Sequence, residues 1–246
     1  MTSRPAHLLV PGRRARPADS SAASASPNGP PRSRPGPATG HELGSRVLDL
    51  VLGVTALVIC APLMAVIALL VAGTSRGGPL FCQVRLGRHA KPFVMYKFRT
   101  MYAGCDDLPH REYVRRVLLG SAPPVGAAGL YKIVDDPRVT RVGRLLRCTS
   151  LDELPQLVNV LRGDMSLVGP RPVLPWEAAL FRPEHRDRFL VRPGITGLWQ
   201  VSGRSRLSMT QALDLDVEYV RTRCLWRDLT ILLRTMPVVV TCRGVR

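Results

Sequence analysis

From residue 47 to residue 72 the chain reads VLDLVLGVTALVICAPLMAVIALLVA. Its single ionisable interruption is Asp49, near the start. A run this apolar has to be covered by protein or by lipid, which limits the fold more than any other feature of the sequence. As a straight helix it would reach roughly 39 Å at about 1.5 Å per residue, enough to cross a hydrocarbon core of about 30 Å. Two features compete with a plain crossing. Pro62 falls mid-run, where it removes a helix hydrogen bond and bends the axis, and each arm alone is too short to cross. Arginines also flank the run on both sides, Arg46 before it and Arg76, Arg85 and Arg88 after it, so the positive-inside rule names no outer end. A bent hairpin that enters and returns would put both ends on the cytoplasmic side. Composition alone leaves the crossing and the hairpin open.

The 246 residues suffice for one good-sized domain plus attachments. A formal charge of +17 points to an anionic partner: nucleic acid, a lipid surface or phosphorylated small molecules. Aromatics at 5% argue against nucleic acid, because single-strand binders need stacking platforms. The basic residues are almost all arginine, with lysine only at Lys91, Lys97 and Lys132, so each retained lysine carries information. Cysteines at 60, 82, 105, 148, 224 and 242 show no C-x-x-C spacing and hence no zinc pattern. They read as thiols of a reducing compartment.

Residues 1–44 are rich in Pro, Ser, Ala and Arg and read as a disordered tail. No apolar region near Met1 marks a signal peptide. Residues 45–75 are expected to form a membrane segment, a re-entrant helix-hairpin, and 76–246 a domain outside it. Within that domain, residues 78–101 alternate around a Gly-containing break and predict a short β-hairpin. A short helix is expected near residues 111–119. The stretch DDPRVTRVGRLLRCTSLDELPQLVNVLRGD predicts a turn, a basic helix, a break and a second helix. RPGITGLWQVSGRS reads as a Gly-punctuated loop or hairpin, and LSMTQALDLDVEYVRT as a helix. LWRDLTILLRTMPVVV is amphipathic and suits a helix lying on a membrane surface; a helix packed on the core fits the same pattern. The fold class is therefore α+β, a small mixed helix/hairpin domain with an N-terminal membrane helix and an interfacial C-terminal helix.

Between Thr149 and Pro172 the chain sets two adjacent carboxylates, Asp152 and Glu153, ahead of Arg171, which stands between two prolines. Ser150-x-x-Glu153 fits a capping box, a reading that would explain Glu153 without any function. With Pro155 in the first turn, the helix would begin near Asp152, and both acids would sit at its positive end. Ionised carboxylates there can divide two roles. An Asp can attack phosphorus, and a Glu can hold a divalent cation that neutralises phosphates. Arginines would be needed to bring a diphosphate beside two acids, and Arg144, Arg147, Arg162 and Arg171 are at hand. Pro170 and Pro172 stiffen the backbone around Arg171, whose guanidinium can fork onto phosphate.

The segments YKFRTM, DPRVTRVGRLLRCTSLDELPQLVNVLRGDMSLVGPRP, VRPGITGLWQVSGR and LDLDVEYV follow the apolar run in this order. In them the chain closely resembles the bacterial sugar transferase family, the monotopic polyprenyl-phosphate phosphoglycosyl transferases. The resemblance starts near Ser45 and leaves out the first 44 residues and the insert 103–131. It implies transfer of a sugar-1-phosphate from a nucleotide diphosphate sugar, usually a UDP-sugar, to a polyprenyl phosphate, with UMP leaving. It implies Asp152 as covalent nucleophile, Glu153 as ligand of Mg²⁺, and Lys97, Arg147 and Arg171 as phosphate-binding residues. It further implies a re-entrant anchor broken at a Ser-Pro pair, at the cytoplasmic face of the inner membrane. Here the pair is Ala61-Pro62, with the proline present and the serine hydroxyl missing. Membrane and substrates are the implied partners, nucleic acid is not, and a homo-oligomer is left open.

Two other readings compete. Asp214-x-Asp216 spells the metal motif of many nucleotide-sugar glycosyltransferases, though in a helical stretch. A membrane-tethered basic binding protein would explain the charge and the anchor, but neither the acid pair nor Arg171 between its prolines.

Overall fold

A computed structural model of the chain describes residues 39–74, 77–105, 108–118, 136–203 and 207–241. The expected tail therefore lies mostly outside the described residues, as do most of the insert and Cys242.

The apolar run belongs to one helix, α1 (Thr39–Thr74), which starts ahead of the boundary expected at 45 and continues through Pro62. The proline thus does not divide the segment into two helices. One stripe of α1 is covered by the rest of the protein. Asp49, Gly53, Ile67 and Val71 on it are buried, and Arg46, Leu57, Met64 and Ala68 are half-buried, at the spacing of three and four that marks one helix face. Off that stripe, Val47, Leu50, Val54, Val58, Ile59, Leu63, Val66, Leu69 and Leu70 are exposed.

The stripe is keyed by polar groups near its start. Arg46 donates from Nη1 to the Val160 carbonyl (2.6 Å) and from Nη2 to the Leu161 carbonyl (2.7 Å). Asp49, the lone acid of the run, accepts from Ser166 Oγ at 2.9 Å and Leu167 N at 2.8 Å. Glu42 pairs with Arg88 (2.8 Å) and Arg223 (3.3 Å). Near its far end, Ile67 and Val71 pack with Phe98 and Leu146. Both arms of α1 therefore rest on the same body.

The hairpin forms as its alternation predicts. Strand β1 (Leu80–Leu86) pairs antiparallel with β2 (Pro92–Phe98), joined through a 3₁₀ turn at Arg88–Ala90. The next helix, α2, covers Leu108–Leu118. Helix α3 (Arg141–Thr149) is N-capped by Thr140, whose Oγ1 accepts from Gly143 N at 2.9 Å. Gly143 must be glycine, because a Cβ there would lie 2.1 Å from the Thr100 carbonyl oxygen. A 3₁₀ turn at Leu151–Glu153 leads to α4 (Gln156–Arg162), which Gly163 ends in the left-handed region at φ 87°. Arg46 thus caps the C-terminal carbonyls of α4, where helices leave acceptors unpaired and cations are favoured.

Strand β3 (Ser166–Val168) pairs in parallel with β4 (Gly194–Thr196). The described part of the expected loop or hairpin, residues 192–203, is thus a parallel strand followed by a short helix. Between the strands lie α5 (Pro175–Ala179) and a 3₁₀ segment, Pro183–Leu190; after β4 come α6 (Leu198–Ser202), α7 (Met209–Thr222) and α8 (Leu225–Thr241). Met95, Leu157, Val160, Met165, Val168, Tyr219 and Ile231 meet in the main core. Helix α8 turns large apolar side chains outward: Asp228 and Ile231 are buried, while Trp226, Leu233 and Met236 are exposed, with Arg234 beside them. Asp228 is satisfied inside by the Tyr219 hydroxyl (2.7 Å) and His41 Nε2 (3.0 Å).

Candidate active site

Ser150 sits in the left-handed region, at φ 58°. That turn stops α3 and puts Asp152 and Glu153 side by side in the 3₁₀ turn before α4. The capping box suggested by Ser150-x-x-Glu153 does not form: Ser150 makes no side-chain cap, and Glu153 N bonds the Ser150 carbonyl at 3.2 Å. The Glu153 carboxylate instead accepts from Lys97 Nζ at 2.8 Å. Both side chains are largely shielded, at 16% and 21% exposure, so this pair is worth more than one on open surface.

Lys97 comes from β2, Glu153 from the turn, and Arg171 from the loop after β3. All three line one pocket with Arg85 and Gln156. Asn159, buried on α4, ties the turn's helix to the hairpin: it accepts from Tyr96 N (3.1 Å) and donates to the Val94 carbonyl (2.7 Å). The side-chain amide thus serves as a main-chain partner for β2 and fixes Lys97 relative to Glu153.

Arg147, in the last turn of α3, joins the cluster electrostatically. Burial pushes its guanidinium pKa down, and the Asp152 and Asp136 carboxylates pull it back up, with Arg138 and Arg171 also in range. Asp136 is held below the usual carboxylate range by its hydrogen bond from Arg138, against the cost of burial. The five sequence-derived residues Lys97, Arg147, Asp152, Glu153 and Arg171 are thus brought into one neighbourhood. Arg144 is an exposed residue of α3, and the Arg162 guanidinium is spent on Tyr96, donating to its hydroxyl at 2.6 Å. Neither lines the pocket.

Sequence reasoning missed Arg85 and Gln156. Arg85 lies on the hairpin face that carries Lys97, since Phe81 pairs with Lys97 and Gln83 with Met95. It is held by Gln83 Oε1 (3.1 and 2.7 Å) and by the Pro172 carbonyl (3.4 Å). Alternation along β1 was the signal that could have found it. Gln156 is buried just after the acid pair and left no such signal.

The D-x-D motif does not form a metal site. Asp214 Oδ1 bonds His185 Nε2 at 2.9 Å, and Asp216 Oδ2 accepts from Arg188 Nη2 at 2.7 Å. Among the described residues no group of three His, Cys, Asp or Glu side chains converges as a metal cage. Mg²⁺ does not need one, since it commonly takes one or two carboxylates together with substrate phosphates. The adjacent acids fit that incomplete kind of site.

The profile described as bacterial sugar transferase matches residues 40–242. The chain is 42% identical over 202 residues to the undecaprenyl-phosphate galactose phosphotransferase of Salmonella typhimurium, covering 81% of this chain and 41% of that protein. It is 42% identical over 219 residues to the UDP-glucose:undecaprenyl-phosphate glucose-1-phosphate transferase of Caulobacter vibrioides, covering 85% of this chain and 75% of that one. The exopolysaccharide production protein ExoY of Sinorhizobium fredii is 38% identical over 204 residues, covering 82% and 88%. The chain thus spans less than half the length of some curated relatives and most of the length of others.

Proposed function

This chain belongs to the bacterial sugar transferase family, and we propose from that premise that it transfers a sugar-1-phosphate from a nucleotide diphosphate sugar, a UDP-sugar, to a polyprenyl phosphate. The observation that carries the reading is the convergence of an acid pair with Lys97, Arg147 and Arg171. A binding protein needs cations for an anionic ligand but has no use for two carboxylates in their midst. In the first step a carboxylate oxygen of Asp152 attacks the sugar-bearing phosphorus. An Asp–O–P bond forms, the bond to the bridging oxygen breaks, and UMP leaves with that oxygen. In the second, an oxygen of the lipid phosphate attacks the same phosphorus. A diphosphate forms and Asp152 is released as carboxylate.

Arg147 and Arg171 would bind and orient the diphosphate, Arg171 through a forked guanidinium. Lys97 supplies a compact charge that neutralises Glu153 and can face the transferring phosphoryl group. Glu153 would hold Mg²⁺, which when bound adds charge neutralisation on the diphosphate. The D-x-D glycosyltransferase alternative loses its support, because Asp216 is buried against Arg188.

The same reading puts the protein at the cytoplasmic face of the inner membrane, with α1 re-entrant. Two facts support it. Both arms of α1 rest on one body, so a perpendicular crossing would draw that body into hydrocarbon. The exposed surfaces of α1 and α8 are rich in large apolar side chains, more than a water-facing protein presents. The relatives' names, which specify galactose or glucose phosphate transfer to an undecaprenyl carrier, support the lipid acceptor.

The test is nucleotide release from a panel of UDP-sugars with undecaprenyl phosphate. UMP from the wild type and none from Asp152→Asn is the expected result. Release of UDP, or of UMP undiminished by Asp152→Asn, would overturn the reading.

A further inference from the structure

The loop carrying Arg171 is held by its backbone. Four consecutive carbonyls each have a separate partner. Pro170 O accepts from Gly194 N (2.9 Å), Arg171 O from Arg188 Nη2 (2.6 Å), Pro172 O from Arg85 Nη1 (3.4 Å), and Val173 O from Leu86 N (2.9 Å). Three elements distant in sequence thus fix one tight loop. The Arg171 carbonyl stands apart, because its donor is a fully buried charge.

Arg188 is 2% exposed and lies against two aromatic rings, 5.2 Å from the Phe181 centroid and 5.8 Å from that of Phe189. Its Nη2 serves both Arg171 O and Asp216 Oδ2. The remaining atoms are poorly served: Arg188 Nε and Nη1 and Asp216 Oδ1 are buried and have no hydrogen-bond partner among the described residues. A half-satisfied buried pair is a poor way to gain stability, since apolar residues of similar volume do as well or better. The neighbouring contacts repeat the theme. Asp214 bonds His185, and Asp187 takes Arg221 at 3.3 Å, so α7 clamps the 3₁₀ segment 183–190 through Arg221 as well as the D-x-D motif.

We propose that the buried Arg188–Asp216 pair is the positioning device for Arg171: Asp216 orients Arg188 Nη2, and the same Nη2 fixes the Arg171 carbonyl. With Pro170 before it and Pro172 after it, this hydrogen bond removes the peptide rotation left to the residue. The Arg171 guanidinium is thereby aimed into the pocket shared with Lys97 and Glu153. Arg188 and Asp216 act through Arg171 and need not touch substrate. The inference rests on the reading of Arg171 as a diphosphate ligand, but its physical core, the holding of the loop, does not.

The test uses the full chain in lipid nanodiscs and the double variant Arg188→Met/Asp216→Leu, which removes the pair without leaving one charge buried alone. Three quantities are read: the unfolding midpoint, amide hydrogen exchange across residues 169–174, and the rate of UMP release from UDP-sugar. The expected result is a midpoint close to wild type, with faster exchange confined to that loop. UMP release should fall on the order of 10- to 100-fold, the scale of a reacting group misplaced by about 1 Å. In an Arg171→Met background the double change should cause no further loss. Unchanged exchange in the loop would overturn the proposal, as would losses that multiply with Arg171→Met. If the wild type itself releases no UMP, the functional reading fails, and the exchange data still decide whether the pair holds the loop. Should the double variant not fold, Arg188→Lys replaces it under the same criteria. An ammonium can pair with Asp216, but it lacks the guanidinium plane that lies against Phe181 and Phe189 and sets the direction of Nη2.

Discussion

Asp49 is the one acid in an otherwise apolar run, and its replacement by leucine separates two pictures of α1 by the sign of the effect. If Asp49 faced lipid, leucine would stabilise the protein, because a carboxylate in hydrocarbon is costly. In the structure it faces β3, 2% exposed, and accepts from Ser166 Oγ and Leu167 N. Leucine would strand a buried hydroxyl and a buried amide. Each unsatisfied donor costs about 1–3 kcal/mol, so the loss is about 2–6 kcal/mol, less whatever the carboxylate's own desolvation returns. For a domain of this size about 1 kcal/mol moves the midpoint by roughly 2–4 °C, which puts the drop near ~10 °C. Asp49→Asn keeps one oxygen acceptor and should fall between, since charge-assisted hydrogen bonds are about twice as strong as neutral ones. Adding Ser166→Ala to Asp49→Leu should restore about 1–2 kcal/mol by removing one stranded donor. The assay is thermal unfolding of full-length protein in nanodiscs. An Asp49→Leu protein as stable as wild type, or more so, would refute the docking of α1 on β3.

Lys97→Met should slow UMP release roughly 10²-fold, the scale of losing one donor to developing charge, and Lys97→Arg should not restore it, because a planar fork does not replace the ammonium 2.8 Å from Glu153; normal rates in both would make Lys97 a surface charge. Burial pushes the Asp216 carboxyl up to about 7 from 3.8, against the pull of Arg188 and Arg171. Between about pH 4 and 7 the folded chain therefore keeps a proton that the unfolded chain has released, so stability falls as pH rises through that window and levels off above it. Unfolding midpoints of wild type should accordingly lose ground to Asp216→Asn from pH 4 to 7, and a constant gap would contradict this. Serine at both Trp226 and Leu233, exposed at 78% and 73%, should reduce co-flotation with liposomes; unchanged flotation would remove α8 from the membrane contact.

What the sequence displayed was local. The hairpin is legible from alternation, α3 and α4 as a basic helix and a second helix after a break, and α7 as a helical stretch, at whose start the structure adds a capping box of Ser208 and Gln211. The break between α3 and α4 is legible too, but its conformation is not. Ser150 adopts a left-handed turn, so the acids occupy a 3₁₀ turn where a longer helix was expected. The parallel pairing of β3 with β4 joins Ser166 to Gly194, residues far apart in the chain, and no short-range pattern encodes it. A Cβ on Gly194 would lie 2.1 Å from Gly169 N, so the glycines of VGPRP and RPGIT are placed by that approach; in sequence they read only as turns. Asp49 and Asp216 were visible as anomalies, an acid in an apolar run and an acid in a helical D-x-D. Their partners were not, because Ser166, Leu167 and Arg188 reach them only through tertiary packing. Within the site, the acids, Lys97 and the two arginines stood out by motif, whereas Arg85 needed the strand register.

The most direct measurement is a quenched reaction of wild-type protein with UDP-sugar carrying a labelled sugar phosphate, in the absence of lipid. A carboxylate nucleophile requires the first half-reaction to proceed alone. It should release at most one UMP per active enzyme and leave label on the protein, mapped by peptide mass analysis to Asp152 and absent from Asp152→Asn. Addition of polyprenyl phosphate should then discharge that label into lipid. UMP that forms only once lipid phosphate is present, with no labelled protein at any quench time, would contradict the covalent route and leave Asp152 as a base or a metal ligand.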